Sequence, residues 1–299
     1  MMAGVSIPSA RGRLQHHVAM ANHTSWRVGG PARCLYRPAG RDDLITFLRF
    51  LPRDEPLFWL GLGSNLLVRD GGISGTVIAI AGALNKIERR TVTTVWVEAG
   101  VPCAKLAKFC AREGLRGAEF LAGIPGTVGG ALAMNAGAFG GAMWELVTAV
   151  EVVGVGGENR RRLPQEYQVS YREVHGPERE WFLAAELCLT PGNSQVAQQQ
   201  IRRLLRQRNG CQPTRQPCAG SVFRNPRNDK AGRLIEACGL KGASIGGARV
   251  SERHANFIVN TGNASAADVE YLIQWVAETV ARRAGVSLVP EVHMVGEPA

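Results

Sequence analysis

Glycine-bounded loops carry the first chemical signal in this 299-residue chain. One runs Gly61-Leu-Gly-Ser-Asn-Leu-Leu-Val-Arg-Asp-Gly-Gly and begins where a short apolar run ends. Gly61 and Gly63 let the backbone approach a ligand closely. Ser64 and Asn65, followed by Leu66, add side-chain donors and further backbone amides, the makings of a nest for phosphate oxygens. Gly-Ser-Asn is also an ordinary turn. The loop is not the GxGxxG fingerprint of a dinucleotide fold, because no third glycine follows at the right distance and no long helix opens there. A second segment, Gly123-Ile-Pro-Gly-Thr-Val-Gly-Gly-Ala-Leu-Ala-Met-Asn-Ala-Gly-Ala-Phe-Gly, holds six glycines in eighteen residues, with alanines between them. Such small side chains cannot build a conventional bulky core. Tight backbone packing would account for them. So would a large flat group lying against the backbone, and the glycine loop upstream favours that second explanation. An isoalloxazine ring with its diphosphate chain has the required shape. The candidate cofactor contacts are therefore Gly61, Gly63, Ser64, Asn65 and Leu66, with Gly123, Ile124, Pro125, Gly126, Thr127, Gly130, Asn135, Gly137 and Ala138.

Other reactive side chains form no metal or nucleophile pattern on their own. The six His show no HxH or HExxH spacing, which argues against a metal site. The seven Cys are odd in number and include no CxxC, as expected of free thiols in a reducing cytosol rather than a disulfide framework. A lone His such as His254 is more often a hydrogen-bonded structural residue than a ligand. Taken alone, Arg172 is a solvated loop arginine, Ser221 a turn serine and Glu291 a surface glutamate.

The elements that must position these loops are short. A helix is expected over Leu44–Leu51, capped by Asp42 or Asp43, after a loose segment over residues 1–22. Strands are expected over Pro56–Leu60, Thr76–Ile80 and Thr91–Ala99. A helix over Val101–Arg112 has Pro102 in its first turn and Leu106, Phe109 and Cys110 on one face. Strands return over Val147–Val155 and Trp181–Thr190. Beyond the turn at Pro191–Ser194 the expected elements are a basic helix over Gln195–Arg208, a helix near Gly232–Cys238 and a strand over Asn256–Asn260. Last comes an amphipathic helix over Ala266–Arg283, in which Val269, Leu272, Ile273, Val276 and Val280 follow helical spacing. Composition changes at about 191–195.

A net charge of +10 and a pI near 9.7 allow a nucleic-acid binder or a protein whose ligands are phosphates and carboxylates. Arginine is spread along the chain, with one denser run at Arg202–Arg208 and few aromatics between, so phosphate and carboxylate ligands are the better explanation and no nucleic-acid partner is expected. No run approaches the roughly 20 apolar residues of a membrane span, and Met1–Ala21 has no apolar stretch of signal-peptide length. A cytoplasmic protein with no membrane partner is expected.

Several motifs in order give the chain a more specific likeness: Trp26-Arg-Val-Gly-Gly-Pro-Ala, Gly61-Leu-Gly-Ser-Asn-Leu-Leu, Gly123-Ile-Pro-Gly-Thr-Val-Gly-Gly, Met134-Asn-Ala-Gly-Ala and Gly220-Ser-Val-Phe-Arg-Asn-Pro. Together they resemble the UDP-N-acetylenolpyruvoylglucosamine reductase family over roughly residues 22–296. The resemblance implies an α+β protein with a vanillyl-alcohol-oxidase-type (PCMH-like) FAD-binding fold and a C-terminal α+β substrate domain. The FAD-binding fold would comprise two subdomains, 1–80 and 81–192, and the substrate domain residues 193–299. It implies non-covalent FAD, NADPH as hydride donor, and reduction of an enolpyruvyl ether on a UDP-sugar to the lactyl ether of UDP-N-acetylmuramate. The oligomeric state is silent in the sequence, and a monomer is compatible with it. Three catalytic residues carry over by motif: Arg172 in Ser170-Tyr171-Arg172, the proton-donating Ser221 in Gly-Ser-x-Phe, and Glu291 in Pro-Glu-Val. Tyr171, Arg224, Asn225, Lys241 and His254 are candidate substrate contacts. The family commonly has Asp then Ser after its Tyr-Arg pair, where this chain has Glu173-Val174-His175. The short stretch from Arg172 to Trp181 leaves no room for the tyrosine-bearing loop of one branch. The chain resembles the shorter branch, of which Ser251-Glu-Arg-His-Ala-Asn-Phe-Ile-Val-Asn is typical.

Two other functions compete. An oxidase of the same flavin fold would carry a covalent attachment His or Cys near the first loop, and Gly61–Gly72 contains neither. A basic, non-catalytic nucleotide- or nucleic-acid-binding protein would explain the charge but not the small-residue segment.

Overall fold

The computed structural model describes residues 10–299. Contacts divide the chain into two compact units. The first takes the chain through His16, then Cys34–Gly61 and Gly75–Leu204; the second takes His17–Arg33, Leu62–Ser74 and Leu205–Ala299. The second unit is thus assembled from three separated stretches, each of which bears residues of a motif singled out above.

In the first unit a five-stranded antiparallel sheet has the order Asn159–Arg162, Val147–Gly154, Glu180–Cys188, Thr94–Glu98, Ile87–Arg89. Val147–Gly154 buries Val147, Ala149, Val150, Val152 and Val153 and leaves Thr148 exposed. Helix Cys103–Arg112 buries Cys103, Leu106, Ala107, Cys110 and Ala111 along one stripe. Pro102 is its N-cap, one position before the first turn where the sequence had placed it.

A four-stranded sheet, Arg13–Ala19, Pro31–Arg37, Ile73–Ala79, Leu57–Leu60, is centred on the first unit, with the last two strands parallel. The first strand corrects the expectation of a loose segment over 1–22, and 3₁₀ turn Met20–His23 follows it; residues 1–9 lie outside the described residues. Helix Arg41–Phe50 starts earlier than expected, with Gly40 at the N-cap. Asp43 lies inside its first turn and accepts hydrogen bonds from Tyr36 Oη (2.6 Å), Ala39 N (2.8 Å), Arg11 N (2.5 Å) and Gly12 N (3.2 Å).

The second unit is built on helix Ala266–Ala284. Ser265 and Asp268 form a capping box at its start, and Gly285 ends it at φ 68°, a left-handed conformation that glycine adopts without a Cβ clash. Its buried face, Val269, Leu272, Ile273, Val276 and Val280, joins a core with Trp26, Leu67, Val222, Phe223 and Ile258. A small antiparallel sheet, Ser244–Ile245, Ala248–Val250, Ile258–Asn260, packs nearby, and Leu66–Val68 pairs in parallel with His293–Val295. Helix Ser194–Cys211 buries Ala197, Ile201 and Leu204, and the division between units falls within it.

Candidate functional site

In the first unit the two glycine segments meet. A Cβ on Gly61 would lie 2.5 Å from Thr127 Oγ1, so only glycine allows this approach. Thr127 in turn caps the short helix Val128–Ala133 by accepting from Gly130 N at 3.3 Å. Gly129 brings that helix against the sheet, its N–H donating to Ala99 O at 2.8 Å. Ile124 N donates to Leu121 O and Gly126 O accepts from Cys103 N, which fixes the turn around exposed Pro125. Gly130 differs from its neighbours. It is exposed, and a Cβ there would meet nothing nearer than Thr127 Oγ1 at 3.7 Å. At Gly123 a Cβ would lie 2.5 Å from the ring of exposed Phe139, which would have to move. The segment thus mixes glycines needed for internal packing with at least one that leaves an open, side-chain-free face.

Arg172 sits near the end of that segment. Strands Gln168–Ser170 and Glu173–His175 pair antiparallel with Ser170 opposite Glu173, leaving Tyr171 and Arg172 as a two-residue turn. Arg172 has φ 60°, a left-handed conformation that costs a non-glycine residue roughly 1–2 kcal/mol. Its Nη2 donates to Gly137 O at 2.7 Å, and its guanidinium lies 5.3 Å from the exposed Tyr171 ring centroid. Asn135, also left-handed at φ 44°, donates from Nδ2 to Ser170 O (3.0 Å) and accepts at Oδ1 from Trp144 N (3.1 Å). Gly137 and Ala138 form a tight hairpin with Gly141 and Ala142. Arg172, Asn135 and Gly137 are therefore brought together.

The second unit gathers the remaining motifs. Glu291 N donates to Val222 O at 2.7 Å and Arg224 N to Val289 O at 2.9 Å, so the segments bearing Ser221 and Glu291 run bonded side by side. Asn65 joins them: its Nδ2 donates to Glu291 O at 3.0 Å and its own carbonyl accepts from His293 N at 3.1 Å. Gly63, at φ 61°, has its place for a backbone reason, since a Cβ would lie 2.0 Å from His23 O. The end of the same loop is structural. Asp70 accepts from Ala266 N and Ala267 N at the start of the long helix, and Arg69 is ion-paired with Glu270 at 2.8 Å.

Sequence reasoning missed what holds the Ser221 segment. Buried Asn256 accepts from Phe223 N (3.0 Å), donates to Phe223 O (2.9 Å), and its carbonyl accepts from Val222 N (2.9 Å). Asn260 donates to Trp26 O at 2.9 Å and Trp26 Nε1 donates to Ile258 O at 2.7 Å. Two asparagines at this spacing between apolar residues were the available signal. The other candidates have local partners. Asn225 Oδ1 accepts from Ala231 N at the start of helix Ala231–Ala237, Lys241 pairs with Glu236 at 2.7 Å, and His254 Nδ1 accepts from Asn256 N at 3.2 Å. Burial, aided by nearby Lys241, holds the His254 imidazole below its ordinary pKa. Burial likewise pushes the Cys103 thiol up to about 12, which keeps it an inert thiol. Among the described residues no group of three or more His, Cys, Asp or Glu is arranged to hold a metal, and no helix is long and apolar enough to cross a membrane.

Residues 212–295 match the C-terminal domain of UDP-N-acetylenolpyruvoylglucosamine reductase, and residues 32–161 match an FAD binding domain. A UDP-N-acetylenolpyruvoylglucosamine reductase of Nitrosococcus oceani is 90% identical over 298 residues, covering all of both chains. One from Alkalilimnicola ehrlichii is 60% identical over 96% of each. The chain belongs to the UDP-N-acetylenolpyruvoylglucosamine reductase family. The crystal structure of the family's enzyme from Thermus caldophilus matches at a TM-score of 0.80 and 35% identity, covering 95% of this chain and 98% of that one. The α+β class expected from sequence holds, with an FAD binding domain followed by the family's C-terminal domain. The open face at Gly130 and the contact of Gly61 with Thr127 fit a flat flavin with its diphosphate against a backbone of small residues.

Proposed function

We propose that this protein reduces UDP-N-acetylglucosamine enolpyruvate to UDP-N-acetylmuramate, with FAD as resident cofactor and NADPH as electron donor. The observation that carries the mechanism is the bonding of the Ser221 segment to the Glu291 segment, with Asn65 attached to the same strand. Gly61, Gly63–Leu66, Gly123–Thr127, Gly130, Gly137 and Ala138 would hold the FAD without a covalent link, and the bound flavin would supply a hydride from N5. Reduction of the enolpyruvyl ether needs that hydride on the terminal vinyl carbon and a proton on the carbon beside the carboxylate. Between the two additions, negative charge is delocalised into the carboxylate. Arg172 grips that carboxylate through two parallel charge-assisted hydrogen bonds, and its fixed guanidinium requires no reorganisation as charge develops. Glu291, protonated or hydrogen-bonded, supports the enediolate oxygens. Ser221 holds the proton for the α-carbon. An alcohol is a weak acid, but an enolate carbon is basic enough to take its proton when geometry is held.

Tyr171, Arg224, Asn225, Lys241 and His254 remain proposed substrate contacts. The two cofactor subdomains over 1–80 and 81–192, the substrate domain over 193–299, a monomeric state and a cytoplasmic location belong to the same proposal, the last because NADPH and UDP-sugars are cytoplasmic metabolites. The test is product analysis. Incubation with NADPH and the enolpyruvyl substrate should give a product heavier by two hydrogens, and Ser221→Ala should lower turnover by about 10²-fold or more. Unchanged substrate, or an undiminished Ser221→Ala, would overturn the assignment.

A further inference from the structure

Arg172 is held in a left-handed turn that its own residue type disfavours, so something outside the turn must impose it. Two contacts do so. Gly137 O accepts from Arg172 Nη2 and fixes the guanidinium end, while Asn135 Nδ2 donates to the carbonyl of Ser170, two residues before Arg172. Asn135 is anchored in turn. Its Oδ1 accepts from Trp144 N, and the Trp144 indole donates to Leu132 O at 2.8 Å while its ring lies tilted against Tyr167 at 4.8 Å between centroids. Tyr167 immediately precedes the strand Gln168–Ser170 that leads into the turn. The Asn135 side chain therefore ties the small-residue segment to the base of the arginine turn from both sides. Its positive φ aims the amide there, in a conformation that Asn tolerates better than most residues. Both Asn135 side-chain bonds are made to this chain's own backbone, which is the work of a brace rather than of a cofactor contact.

We propose that Asn135 is a positioning residue for Arg172: it sets the guanidinium for the substrate carboxylate and takes no direct part in holding flavin. The proposal rests on Arg172 acting on that carboxylate, as described above. Asn135→Gly removes the amide while preserving the left-handed backbone, and Asn135→Asp keeps the acceptor for Trp144 N but loses the donor to Ser170 O. Both variants should retain native flavin content, thermal midpoint and rate of flavin reduction by NADPH. Reoxidation of reduced flavin by the enolpyruvyl substrate should slow about tenfold or more. In an Arg172→Lys background the same changes should slow it less than twofold further, because the brace no longer has its arginine to position. Loss of flavin from both variants, an unchanged reoxidation rate, or a full additional tenfold loss in the Arg172→Lys background would each overturn the proposal. Failure of the unsubstituted protein itself to be reoxidised by this substrate would instead overturn the function.

Discussion

Asn256 shows how a residue with no chemistry of its own can matter to one proposed to be reactive. It is buried, and its amide closes two hydrogen bonds on the backbone of Phe223, two residues after Ser221. Asn256→Ala leaves Phe223 N–H and C=O without these partners, at a cost of about 2–4 kcal/mol. The expected outcome is a lower unfolding midpoint in urea, together with slower reoxidation of reduced flavin by the enolpyruvyl substrate. The proposed catalytic positions were legible only through motifs. Ser221 lies in an irregular segment, Arg172 in a short hairpin turn and Glu291 two residues before the strand His293–Val295. Nothing in residue type distinguishes them from surface residues until neighbouring segments are placed beside them.

At the scale of elements, the glycines separate into two kinds that sequence cannot tell apart. Gly63→Ala would drive a Cβ into His23 O at a positive φ, and destabilisation by about 2 kcal/mol or more is expected, read as a lowered thermal midpoint. Gly130→Ala adds a Cβ in open space within a helix, so stability should hold or rise by about 0.5–1 kcal/mol while flavin content falls. Native flavin content in Gly130→Ala would remove that face from the cofactor site.

Helix Arg41–Phe50 carries one source of pH dependence. Burial raises the Asp43 carboxyl pKa, but hydrogen bonds from Tyr36, Ala39, Arg11 and Gly12 outweigh it and hold the group below its ordinary value. A depressed folded-state pKa stabilises above the unfolded value of about 3.9, and that contribution is lost as pH falls through the folded pKa. Asp43→Asn should therefore be less stable near neutrality and lose less on acidification below about pH 4, as followed by circular dichroism. The sequence placed this helix too late because its apolar spacing begins only at Leu44. It missed Arg13–Ala19 because that strand ends the order of its sheet and buries no residue fully, leaving no alternating pattern to read.

For the molecule as a whole, the sequence showed which segments matter but not which of them fold together. Trp26 and the loop after Gly61 belong to a unit whose bulk begins at Leu205. That assignment depends on pairings such as Leu66–Val68 with His293–Val295, about 230 residues apart, for which local periodicity carries no signal. The α+β class, the flavin and the family were readable because several short motifs, each ordinary alone, occur in one order.

The most direct measurement is an anaerobic absorption experiment on the purified protein. The account predicts a flavin spectrum that bleaches with NADPH and returns when UDP-N-acetylglucosamine enolpyruvate is added without oxygen. A reduced flavin that this substrate leaves bleached, or a protein that takes up no FAD, would contradict it.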